Sequence, residues 1–260
     1  MFSPETKIKD IIPVIGLGTW NMSGKTCIES VRSGLDTGYR HLDTAQNYGN
    51  EREVGKGLKE SGIDRQEVFI TTKVAYGNLT ASGIRSSLKE SLKKLDSDYV
   101  DLLLIHWPTS SMDLKECLDT MFELKDEEKV KFVGVSNFSP ELFREAVNMG
   151  PVANNQVKFS PHDPAFETLE TIKETGKTLT AYSPLERGEA VNDDIFKELE
   201  EKYNKSASQI ILRWLIQLGN VSVIPKASSE DHRKENLDIF DFELSNDEME
   251  RLIRIVKQKI

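Results

Sequence analysis

Apolar positions along the 260-residue chain alternate between two spacings. Short runs rich in β-branched and aliphatic residues occur at 14–20 (VIGLGTW), 41–45 (HLDTA), 68–74 (VFITTKV) and 99–107 (YVDLLLIHW). They recur at 131–138 (KFVGVSNF), 154–159 (NNQVKF), 178–185 (TLTAYSPL) and 221–226 (VSVIPK). Their length and composition predict strands, and residues 7–13 a short strand or cap before them. Between the runs the apolar spacing becomes helical. Ile28, Val31 and Leu35 share one face of a helix over 26–36, and Ile84, Leu88, Leu92 and Leu95 one face of a helix over 82–95. Further helices are predicted at 50–58, 114–126, from Ser139-Pro140 onward, and at 166–174, 192–203, 206–218 and 229–239. The SNDE at 245–248 is a capping box for a terminal helix. Eight strand-like runs, most followed by a helical pattern and with no internal composition break, favour one (β/α)8 TIM barrel domain over residues 1–260, with an open doubly wound sheet as the alternative that strand counting leaves open.

Composition narrows this picture only slightly. The chain is 38% hydrophobic and 30% charged, enough for a core and a well-solvated surface. No apolar run approaches the roughly 20 residues that cross a bilayer, and the first residues lack the apolar core of a secretory signal, so a cytoplasmic protein is expected. Cys27 and Cys117 fall in predicted helices and read as core thiols, not as a disulfide or metal site. A net charge of -9 argues against nucleic acid and anionic membrane as partners. Lys226, His232, Arg233 and Lys234 form a local exception that suits a small anionic ligand or, equally, a solvated helix face.

The chemistry is concentrated at strand ends. Asp43 ends the HLD strand, with Tyr48 just beyond it; Lys73 lies inside an apolar strand, and His106 ends another. A lysine in such a strand needs a partner, and Asp43 is the natural one. Alone, that pair is equally a structural ion pair. A tyrosine and a histidine arriving at the same end of the barrel, where active sites of this fold lie, make it a proton-transfer site. Lys73 is expected to ease ionisation of Tyr48 from its usual pKa of about 10.

The motifs LDTAQNYGNE at 42–51, TTK at 71–73 and HWP at 106–108 resemble the aldo-keto reductase superfamily. The same order of motifs continues through GVSNF at 134–138, NNQV at 154–157, AYSPL at 181–185 and IPKAS at 224–228, so the resemblance spans Ile15 to about Phe242. It implies that Asp43, Tyr48, Lys73 and His106 form a catalytic tetrad for NAD(P)H-dependent reduction of small aldehydes and ketones. Tyr48 would be the general acid, and His106 would orient the carbonyl oxygen, either relaying a proton or acting as a neutral donor. The resemblance further implies a cofactor bound across the barrel mouth. Ser136, Asn137 and Gln156 would hold the carboxamide, Tyr182 would stack on the nicotinamide, and Ser183 to Leu185 would cradle the pyrophosphate. Lys226 and Ser228 would meet the 2'-phosphate, with Glu235 and Asn236 near adenine, and Thr19, Trp20, Asp43 and Ile224 complete the cofactor set.

Two departures from the usual pattern matter. His232 stands where an arginine often faces the 2'-phosphate, with Arg233 displaced by one; NADPH is still expected because Lys226 remains, with NADH as the alternative. Lys158 and Ser160 replace a more usual acidic residue and histidine and carry no assigned role. Trp20, Tyr48, His106 and Trp107 would line the substrate side. A chain ending at Ile260, soon after the terminal helix, predicts an open site that discriminates poorly among small aldehydes. A small carbonyl substrate is the expected partner, and a monomer the expected state. The competing functions are a nucleotide-binding regulatory subunit with little turnover, and a barrel isomerase or lyase using the same Lys and Tyr.

Overall fold

In the computed structural model, which describes residues 7–189 and 194–258, the strand-like runs become eight parallel strands. They are β3 Leu17–Gly18, β4 His41–Asp43, β5 Phe69–Val74, β6 Val100–Ile105, β7 Val130–Ser136, β8 Val152–Lys158, β9 Thr178–Tyr182 and β10 Val221–Ile224. Each pairs in parallel with the next in chain order. The first predicted run shrinks to two strand residues because residues 14–18 serve as the seam. Gly16 N donates to Val223 O at 2.8 Å, Val223 N to Val14 O at 3.1 Å, and Gly18 N to Pro225 O at 3.1 Å. Gly18 allows that approach, since a Cβ there would lie 2.6 Å from the Ile224 carbonyl oxygen. The (β/α)8 barrel expected from the strand count is the observed fold.

Ten helices are present among the described residues: α1 Gly24–Thr37, α2 Glu51–Ser61, α3 Ala81–Leu95, α4 Leu114–Asp126 and α5 Pro140–Met149, then α6 Phe166–Thr175, α7 Asp194–Tyr203, α8 Ala207–Gln217, α9 Glu230–Leu237 and α10 Asn246–Lys257. Most bounds fall within about two residues of the spacing-based reading. The predicted start of α7 at 192–193 lies outside the described residues. Side-chain caps explain this agreement. Ser139 Oγ accepts from Leu142 N ahead of Pro140, and Ser206 and Ser245 both form full capping boxes. Cys27 and Cys117 are buried in α1 and α4, and burial pushes their thiols up to about 12 and about 11, as suits inert core positions. No helix among the described residues is long and apolar enough to cross a membrane.

The barrel interior is layered by strand alternation. At its base a hairpin of β1 Lys7–Ile8 and β2 Ile12–Pro13 brings Ile12 against Phe69, Leu102 and Leu104. Two residues on from Phe69, Thr71 meets His41 Nε2 at 3.0 Å. Two further on, Lys73 arrives at the top. The period of two therefore carries one face of β5 from apolar plug to buried lysine, and Lys73 ends at the carboxyl end of the barrel.

Candidate active site

Lys73 is fully buried and has three oxygen partners. Its Nζ donates to Asp43 Oδ1 at 2.5 Å, to the Thr44 carbonyl at 2.9 Å and to Tyr48 Oη at 3.2 Å. Asp43 gains a second donor, Gln156 Nε2, at 2.7 Å from across the barrel. Burial alone would strip the charge from Lys73, yet Asp43 and Tyr48 overcome it and raise the lysine pKa. The ammonium form is therefore favoured. Tyr48 sits on a 3-10 turn, Gln46–Tyr48, closed by Gly49 at φ 69, a left-handed turn end that glycine adopts without strain.

For Tyr48 the net effect differs from the sequence expectation. Burial raises its pKa, and although the Lys73 charge pulls it down, the balance remains upward. A desolvated phenol costs more to ionise than one lysine returns when Asp43 already neutralises that lysine. The protonated phenol is thus favoured at Tyr48. His106, 8% exposed, follows β6 and packs edge-on to Tyr48 with ring centroids 5.7 Å apart. Burial first, and the Lys73 charge second, lower its pKa to about 4. The imidazole is neutral above that pH, which favours the neutral-donor option over a cationic relay.

His41, one layer below, is lowered to about 3 by complete burial and then by Lys73, and its Nδ1 has no hydrogen-bond partner. Both histidines take up a proton near pH 6.5 when unfolded, but only near 3 to 4 when folded. Across that window the unfolded chain binds more protons, so stability falls as pH falls, by up to about 1.4 kcal/mol per pH unit for each histidine. Thermal midpoints measured from pH 7 to pH 4 should decline accordingly, and His41→Asn should flatten about half of that slope.

Around this group lies a cleft of about 390 Å³ whose lining joins the ends of seven strands. Gly18, Asp43, Asn47, Tyr48, His106, Ser136, Asn137, Gln156, Tyr182, Ser183, Ile224 and Lys226 reach it, with Trp20 and Trp107 at the rim, 46% and 47% exposed. The aromatic wall is therefore only half covered, in keeping with an open site. Ser136 Oγ donates to Gln156 O at 2.8 Å, Asn137 Nδ2 to His106 O at 3.0 Å, and Tyr182 Oη to Asn137 Oδ1 at 2.9 Å. Asn137 holds this position at φ 62, a backbone state asparagine tolerates better than most residues.

The remaining sequence candidates lie off this cleft. Thr19 is buried, and its hydroxyl donates to Asp43 O at 2.9 Å; Leu185 packs against the core. Ser228 and His232 are exposed, and the backbone N of His232 caps α9 through Ser229 Oγ at 3.2 Å. Glu235 accepts from the Ser206 hydroxyl, and Asn236 is buried against Tyr39. The basic cluster read from sequence also separates. Arg233 turns inward, donating to Ala227 O and Ser33 Oγ, and Lys234 pairs with Glu230, so of the four only Lys226 lines the cleft. Sequence reading missed Asn47, which lines the cleft with its Nδ2 3.5 Å from His106 Nδ1. Its signal was adjacency to Tyr48 on a turn too short for periodicity to orient it.

Comparison with known proteins matches almost the entire chain. The sequence profile of the Aldo/keto reductase family matches residues 14–257. The chain is 38% identical over 267 residues to the glyoxal reductase of Bacillus subtilis (strain 168), covering 98% of this chain and 95% of that protein. It is also 38% identical to methylglyoxal reductase DkgB of Escherichia coli O157:H7, covering 87% and 86%. Among solved structures, a putative 2,5-diketo-D-gluconic acid reductase B superposes with a TM-score of 0.94 at 38% identity, over 98% of this chain and 92% of that one. A Bombyx mori aldo-keto reductase in complex with NADP superposes with a TM-score of 0.89 at 30% identity, over 98% and 93%. With a buried Asp-Lys-Tyr chain and a neutral histidine at the mouth of an eight-stranded barrel, and with these relatives, the chain belongs to the aldo/keto reductase family.

Proposed function

We propose that this protein reduces small aldehydes and ketones, 1,2-dicarbonyls of the glyoxal type included, to alcohols at the expense of NADPH. The observation that carries the reading is the contact of one buried ammonium with both Asp43, at 2.5 Å, and the Tyr48 hydroxyl, at 3.2 Å, at the floor of the cleft. The relatives' carbonyl-reductase names support the same chemistry.

The residues around the cleft fit a nicotinamide dinucleotide. Beyond their bonds within the protein, the Gln156 amide keeps a second N–H and its Oε1, and Asn137 Oδ1 and Ser136 Oγ keep acceptor capacity, for a carboxamide, while Lys226 offers an exposed cation for phosphate. When bound, the reduced nicotinamide supplies hydride to the carbonyl carbon. Tyr48 delivers the proton to the oxygen, and Lys73 stabilises the phenolate left behind. Asp43 holds Lys73 cationic, and neutral His106 offers an N–H to the same oxygen. Bulk water then returns the proton to Tyr48. One carbonyl, one hydride and one proton become one alcohol. Trp20, Tyr48 and Trp107 supply the apolar wall for the substrate.

Lys226, alone of the basic cluster on the cleft, is proposed to contact the 2'-phosphate. Purified protein should oxidise NADPH in the presence of glyoxal and prefer it to NADH. Lys226→Ala should weaken NADPH by about tenfold and leave NADH nearly unchanged. Steady-state kinetics with both nucleotides reads this. Tight nucleotide binding without turnover would instead point to a regulatory subunit.

A further inference from the structure

We propose that Asn47 is a specificity-determining residue that reads the second oxygen of 1,2-dicarbonyl substrates. The inference rests on the reductase reading above and assigns a residue that the tetrad does not contain.

Two groups in the cleft, Tyr48 and His106, address the oxygen that becomes the alcohol. Most other polar side chains there are already engaged in the protein. Ser136, Asn137 and Gln156 bond to one another's backbone, to His106 O and to Asp43, while Tyr182 bonds to Asn137. Asn47 differs. It is exposed, it lines the cleft, and its side chain makes one long contact, 3.5 Å from Nδ2 to His106 Nδ1. A carboxamide nitrogen carries two hydrogens, so one N–H can face His106 while the other serves a ligand. The Gln46–Tyr48 turn places Asn47 next in sequence to the proton donor, and its amide lies beside the ring of the second donor.

Chemistry selects the ligand. In a 1,2-dicarbonyl the two oxygens sit on adjacent carbons, so a donor adjoining the pair that holds the first oxygen is placed to reach the second. A monoaldehyde of the same length presents only a methyl or methylene group there. Asn47 would otherwise be a polar interruption in a wall of Trp20, Tyr48 and Trp107. An amide that hydrogen-bonds a substrate oxygen discriminates against the analogue lacking that oxygen, whereas apolar walls separate such molecules weakly.

The test compares kcat/KM for methylglyoxal and for propanal, each with NADPH, in the wild type, Asn47→Leu and Asn47→Ser. Propanal serves as an internal control for folding, cofactor binding and the tetrad. Asn47→Leu should lose about tenfold on methylglyoxal and less than about twofold on propanal. Asn47→Ser, which keeps a short donor, should recover part of the loss. Equal losses on both aldehydes, or no loss on methylglyoxal, would overturn the proposal while leaving the reductase reading intact. Absence of NADPH-dependent turnover of either aldehyde by the wild type would remove the reductase reading and this inference with it.

Discussion

Replacing Tyr48 by phenylalanine should lower kcat by about 10² to 10⁴, while the dissociation constant for NADPH changes by less than about twofold. The substitution removes one oxygen and no packing volume. The ring still meets His106 at 5.7 Å, and the Lys73–Asp43 pair keeps its 2.5 Å contact. What disappears is the hydroxyl that Lys73 approaches at 3.2 Å, and with it the proposed proton donor. Stopped-flow turnover with a small dicarbonyl, beside fluorescence titration of NADPH, separates the two effects. A variant that keeps more than a tenth of wild-type turnover would assign the proton to another group. The same contact governs the alkaline limb of the wild-type pH profile. Because burial raises the Tyr48 pKa, the protonated donor persists throughout the neutral range, and activity should fall only in strongly alkaline solution.

The second large effect is expected at Lys73. Lys73→Met leaves the Asp43 carboxylate buried with the Gln156 amide at 2.7 Å and no counter-charge, a situation that costs about 3–5 kcal/mol. Adding Asp43→Leu removes the stranded charge and should restore most of the stability, because an apolar pair of similar volume suits the barrel interior. Turnover should stay lost in the double variant. Chemical denaturation and kinetics on the single and double variants therefore separate a pair retained for folding from one retained for chemistry. If the double variant regained activity along with stability, the ion pair would be structural and Tyr48 would not depend on it.

Much of this site was legible in the sequence. Lys73 stood out because a lysine inside an apolar strand needs a partner, while the fold decided that it shares the inward face of Phe69. Asp43 and His106 could be placed at carboxyl ends because each closes an apolar run, and Ser139, Ser206 and Ser245 announced helix starts through local hydrogen bonds. The basic cluster was harder to read. Four neighbouring cationic or titratable residues suited an anion site and a solvated helix face equally, and helix α9 turns Arg233 into the core and leaves its neighbours outside. Charge along a sequence carries no azimuth when a short helix lacks a clear apolar face. Asn47 was missed for a similar reason, since a three-residue turn has no repeat from which to infer direction.

The sequence by itself determined the barrel, the order of its elements and the identities of the four residues at its mouth, because period, capping and motif order act over a few residues at a time. Tertiary structure alone decided which of the candidates meet. Gln156 reaches Asp43 across 113 residues only because the sheet closes, with Gly18 thin enough to let the first and last strands join. It also decided the protonation of the site. The sign of the shift at Tyr48 depends on how much water the closed barrel removes relative to how far Asp43 neutralises Lys73, and neither quantity exists until the chain is folded.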